Sequence, residues 1–110
     1  MPETVSSAVG HAARLAALSV AGVADLHPGK YGEAALLLPG ERIIGIKPIH
    51  HGQIDRVDGI EIHLVIDASA RPNLHELALD VRSAVQRATG METVDVIIAD
   101  AVDGAKEAGK

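Results

Sequence analysis

Cysteine, phenylalanine and tryptophan are all missing from this chain of 110 residues, and its one aromatic side chain is Tyr31. Without cysteine there is no disulfide framework, no thiol nucleophile and no thiolate metal site; the chain suits a reducing compartment without requiring one. Without more aromatics it lacks the side chains that dominate interface hot spots and base-stacking surfaces. Basic runs are missing too: the ten Lys and Arg residues never stand side by side, and the net charge is −5. Nucleic acid, whose binding rests on clustered cations neutralising phosphate, is therefore disfavoured, as is an anionic lipid surface. No stretch reaches the roughly 20 apolar residues that a bilayer span needs, so direct membrane insertion is not expected. The apolar run over 15–24 does not read as a signal peptide, because it lacks a basic n-region and has Glu3, His11 and Arg14 ahead of it. A cytoplasmic location is the expectation.

What is present is ordinary for a globular domain: 47% hydrophobic residues, mostly Ala, Val, Ile and Leu, and 23% charged. The length suits one domain over 1–100 with its own core, followed by a tail over 101–110 that lacks periodicity and is expected to fray. The most informative stretch runs from Gly59 to Asp100. Ile60, Ile62, Leu64 and Ile66 alternate with Glu61, His63, Val65 and Asp67, the period of a half-buried strand. Leu74, Leu77, Ala78, Val81, Ala84, Val85 and Ala88 then recur at helical spacing. Asn73 with Glu76 three residues on signals the start of that helix, and Gly90 its stop. Val94, Val96 and Ile98 resume the alternation.

Before this unit, the stripe Val5, Val9, Ala12, Ala13 and Ala16 predicts a first helix over 3–19, started by Glu3 or Thr4 and ended by Gly22. A short extended piece follows over 23–26, then a turn-rich loop over 27–32 and a short strand over 34–38 closed by Pro39-Gly40. A strand over 42–49 pairs with the one from Gly59 through a hairpin connection over 51–59. The expected architecture is α+β: a two-layer sandwich with two helices on one face of a small, three- to four-stranded, mainly antiparallel sheet. The core order is helix-strand-strand-helix-strand, and the last strand is expected to lie beside 42–49. The face away from the helices carries Glu61, His63, Val65, Asp67, Asp95 and Ile97. It is half apolar and has no third layer, an arrangement usually resolved by self-association or by docking a partner.

No catalytic constellation emerges. Asp55, Asp58, Glu61 and Asp67 flank a hairpin, where carboxylates are solvated, and Ser69 lacks the glycines of a nucleophile elbow. Among six histidines the sharpest metal reading joins His50 or His51 to His63 across the hairpin. Adjacent His50 and His51 point to opposite sides of a strand, so only one can join, and two ligands do not make a site. Neither a cofactor nor a metal is expected. Gly29-Lys30-Tyr31-Gly32 has the spacing of a KH-type RNA loop, but it follows the first helix into a strand and stands in an acidic chain. Tyr31, beside Leu36, Leu37 and Leu38, is read first as an anchor that holds its loop on the core, and second as a contact for a partner.

The alanine-rich first helix, Val20-Ala21-Gly22-Val23-Ala24-Asp25-Leu26, the opening Pro72-Asn73-Leu74-His75-Glu76-Leu77 and the closing Thr89-Gly90-Met91-Glu92-Thr93-Val94-Asp95-Val96 together resemble the alkaline shock protein family, also called Gls-type envelope stress response proteins. The pieces over 31–34 and 38–42 are similar to its actinobacterial branch. The resemblance covers about residues 8 to 100 and rests on structural marks. It implies a small cytoplasmic protein without known enzymatic activity, associated with stress response and envelope homeostasis. Some members of the family sit at the membrane periphery through a small membrane-anchored protein partner. A homo-oligomer is expected from the open sheet face. The topology is also similar to iron–sulfur assembly scaffolds, whose cysteines are absent here. The leading expectation is a non-catalytic interaction module working through Tyr31 and the sheet face. A histidine-based metal-binding protein and a KH-like RNA-binding module are the alternatives.

Overall fold

The computed structural model describes residues 5–49 and 59–103. Two helices and a mixed, open sheet make an α+β fold. Helix α1 spans Ser7–Leu18, and Ser6 caps it by accepting the Val9 N–H at 3.2 Å. The serine hydroxyl supplies the acceptor that the first free N–H groups require, so the helix starts three or four residues later than the stripe suggested. It ends at Leu18, not at Gly22. Ser19 reaches back to the Leu15 and Ala16 carbonyls, and Gly22, at φ +96°, makes the turn into the next strand. Strand β1 covers Val23–Leu26, β2 Ala35–Leu38, β3 Glu41–Ile44, β4 Ile46–Ile49 and β5 Gly59–Asp67. A 3₁₀ turn over Ala68–Ala70 leads to helix α2, Leu74–Thr89, and then to β6, Thr93–Val102. As expected, Asn73 caps α2 by accepting the Glu76 N–H, and Gly90 closes it at φ +74°.

Strand β5 is the centre of the sheet. Along one edge, β4 pairs antiparallel with its first half (Ile46↔Ile62) and β1 antiparallel with its second half (Leu26↔Leu64). These two short strands meet end to end at His63, whose N–H donates to Gly45 O and whose carbonyl accepts from the His27 N–H, at 2.9 and 2.8 Å. Along the other edge β6 runs parallel to β5, from Gly59↔Thr93 to Asp67↔Val102, with a bulge where Ala99 is inserted. The expected place of the last strand, beside 42–49, is therefore overturned. Once β1 and β4 occupy one edge of β5, the crossover helix returns the chain to the free edge, as a direct strand–helix–strand unit. The ladder also extends through Ala101 and Val102, which the lack of side-chain alternation had suggested were frayed.

The expected single strand over 42–49 is two strands, divided at Gly45. Gly45 sits at φ +91°, donates its N–H to Ala34 O at 2.7 Å, and turns β3 away to form a separate hairpin with β2. The hairpin sends Leu36 and Ile43 inward, 1% and 3% exposed, onto the small-residue side of α1 at Gly10. The same core continues along the helices, where Ile46, Ile60, Ile62 and Leu64 gather with Ala13, Ala17, Leu77, Val81 and Val85.

Gly45 makes a clear demand on the chain. A Cβ there would fall inside the Leu26 side chain, and its φ is one that L-residues rarely adopt. Gly45→Ala is expected to cost about 2–4 kcal/mol of unfolding free energy, from backbone strain plus overpacking. Gly40→Ala provides the comparison: Gly40 also has positive φ, but a Cβ there meets nothing within 4 Å, so only the strain of about 1 kcal/mol applies. Chemical denaturation of the two variants measures both.

Candidate functional site

The alternation along β5 and β6 puts Glu61, His63, Val65 and Asp67 on the face away from the helices, beside Asp95, Ile97, Asp100 and Val102 of β6. Lys47 joins them opposite Glu61. The structure thus gathers all six residues named for this face, but it does not leave them equally open. His63 is only 8% exposed. Glu61, Val65 and Asp67 are half-buried, while Asp95 and Ile97 are exposed.

Next to His63 the chain leaves the sheet at His27, whose N–H donates to the His63 carbonyl. The loop over 27–34 is closed by Ala34 N–H to Pro28 O and Gly32 N–H to Gly29 O, and it is tied to the sheet through Gly45. Its Glu33 carboxyl is held below the ordinary value of 4.5 by the backbone N–H groups of Glu33 and Tyr31, and further by the charges of Lys47 and His63. His63 Nε2 lies 2.6 Å from Glu61 Oε1. A carboxylate only accepts, so Nε2 carries the proton and donates it. Asp67 is likewise engaged, its Oδ1 accepting from Ser69 N–H and Oγ at 3.0 and 2.6 Å. What stays open is an apolar strip of Val65 and Ile97 among the carboxylates of Asp95 and Asp100.

Tyr31 departs from its first reading. It is 82% exposed and does not anchor its loop, because the backbone bonds and Glu33 already hold the turn. Its ring instead lies 5.5 Å from Lys30 Nζ. His50 and His51, the other candidate metal ligands, lie outside the described residues, as do Asp55 and Asp58. Among the described residues, no group of three or more His, Asp or Glu side chains could hold a metal ion, and no helix is long and apolar enough to cross a membrane.

A second feature went unseen in the sequence. Between α1, β1 with its following loop, and β3 lies a cleft of about 480 Å³, lined by His11, Arg14, Leu26, Arg42, Ile43 and Ile44 among others. These residues come from distant parts of the chain, and only the hairpin that Gly45 redirects brings them together, so no local pattern announces them. One side of the cleft is pinned by Glu41. It accepts from Ser7 Oγ at 2.8 Å and from His11 Nε2, tying the first turns of α1 to the start of β3. Comparison with protein-family models, with curated protein sequences and with solved structures finds no match.

The Glu41 clasp gives a pH dependence. Its carboxyl is held below the ordinary 4.5, first by the Ser7 hydroxyl and then by His11. A depressed folded-state value means the stabilisation is complete above 4.5 and is lost as pH falls through the lowered folded value. In acid titrations followed by thermal melting, the wild type is therefore expected to lose stability below that point more steeply than Glu41→Gln. Equal slopes would show that the clasp contributes nothing in solution.

Proposed function

We propose that this chain is a non-catalytic docking module that works by self-association and by binding a protein partner. The observation that carries this reading is a sheet face with no second helical layer among the described residues, where Ile97, across from His63, remains 37% exposed. Full burial from full exposure is worth roughly 1.5–3 kcal/mol for such a side chain, and about a third of that remains to be gained at Ile97. Tyr31, 82% exposed, and Leu37, 73% exposed, supply further apolar area on the loop and the β2–β3 hairpin. The resemblance to the alkaline shock family assigns such a module to stress response and envelope homeostasis. On that reading it works in the cytoplasm and is drawn to the membrane periphery by a small membrane-anchored partner.

Light scattering across a concentration series tests the self-association. The wild type is expected to form an oligomer that Ile97→Asp weakens by roughly tenfold or more, the equivalent of losing one buried aliphatic anchor. Circular dichroism checks that the variant keeps its fold. A wild type that stays monomeric at every concentration, or an oligomer indifferent to Ile97→Asp, would count against the sheet face.

A further inference from the structure

The cleft beside α1 combines two properties rarely joined by accident. Its apolar part is Ile44, 36% exposed in the wall, over a floor closed by Leu26 and Ile43 at 4% and 3%. Two guanidinium groups, Arg14 from α1 and Arg42 from β3, share the same concave space. Neither is saturated. The carboxylate nearest Arg14 is Asp25, whose Oδ1 stands 3.9 Å away, beyond hydrogen-bond distance. Arg42 makes one long contact of 3.4 Å, to Gly32 O. A guanidinium presents five N–H donors in a planar fork suited to a pair of anionic oxygens, so most of the donor capacity here remains unspent.

The charge pattern runs against the rest of the molecule. In a chain of net charge −5, two of the ten basic residues converge on one cleft, with Asp25 as the carboxylate of its lining. Solubility does not require this, and the arrangement is not left to chance, since the Glu41 clasp holds α1 against β3 and so sets the spacing of the two arginines. The volume of about 480 Å³ falls within the roughly 300–1,000 Å³ typical of small-molecule sites, which are mostly apolar with a few convergent polar groups.

We infer that this cleft binds a small amphipathic anion, a carboxylate or phosphate-monoester head on a compact apolar body. The head takes the Arg14 and Arg42 forks, and the body lies against Ile44 and the aliphatic stems of the two arginines. Bidentate, charge-assisted bonds fix the head, and the apolar wall discriminates against small hydrophilic anions. The site is separate from the sheet face and does not depend on the docking function.

Titration of the full chain, followed by ¹H–¹⁵N correlation spectra, tests it with four probes: octanoate, hexyl phosphate, acetate and octanol. Octanoate or hexyl phosphate is expected to shift amides of residues 25–27 and 42–44 saturably, and whichever binds more tightly identifies the head. Acetate, without the apolar body, and octanol, without the charge, should each bind roughly tenfold more weakly or worse. Arg14→Gln and Arg42→Gln should each weaken the better probe by a similar factor while leaving the rest of the spectrum in place. The inference is overturned if octanol matches octanoate, if acetate matches it, if both arginine variants bind as the wild type does, or if no probe produces saturable shifts. The last result would leave the arginines as stems that merely shelter Leu26 and Ile43.

Discussion

Strand β5 is held on three sides at once, and most of the molecule follows from that. Ile60, Ile62 and Leu64 are fully buried, and on them converge both helices, the strands on each edge and the return of the chain through α2. A slip of one residue in its register would turn Glu61, His63 and Asp67 into the helical layer and expose the isoleucines. The penalty for burying those groups unpaired is large enough to exclude the alternative. The register therefore decides which side chains face outward. The open face is a consequence of how the core is packed, not a separate feature laid on top of it.

The shortage of aromatics shapes how that core is filled. Where one ring could span a gap, this chain brings backbones closer instead. Gly10, Ala13 and Ala17 give α1 a nearly smooth side, and the Leu36–Ile43 pair of the hairpin packs directly onto it. Close packing of small and branched side chains holds only if the backbone takes the required path, which explains the weight placed on Gly45. Its left-handed conformation splits what would be one long strand. One half completes the sheet at β5, and the other swings over α1 and forms one wall of the cationic cleft.

How much of this could be read in advance depended on the range of the interactions. Strand β5, helix α2 and both caps of that helix were legible because periodicity and capping are local properties, as Asn73 and Gly90 show. The position of β6 was not, because which edge of β5 is free depends on where β1 and β4 settle, two strands that share one edge and meet at a single residue. Gly45 carried no signal beyond being a glycine, since its role lies in contacts with Leu26 and Ala34. The membership of the sheet face was legible from alternation alone. Its unequal exposure was not, because the chain around His63 is tied down by backbone hydrogen bonds at His27 and Gly45, and backbone groups are common to every sequence. Tyr31 misled for the same reason: the loop did not need the ring.

The two surfaces also differ in sign, and this limits what each can accept. Around Val65 and Ile97 stand Asp95 and Asp100, while Glu61 accepts from His63 Nε2 and lies across the ladder from Lys47. A second copy laid face to face on this strip sets carboxylates near carboxylates. Such repulsion is tolerable in high dielectric and weakens as salt rises, so the apolar strip must supply the attraction and a register offset must keep the acids apart. A different protein with lysine or arginine around an apolar centre meets no such obstacle. For the docking proposed on this face, electrostatics adds attraction only toward a basic partner, and self-association has to rest on the apolar contact.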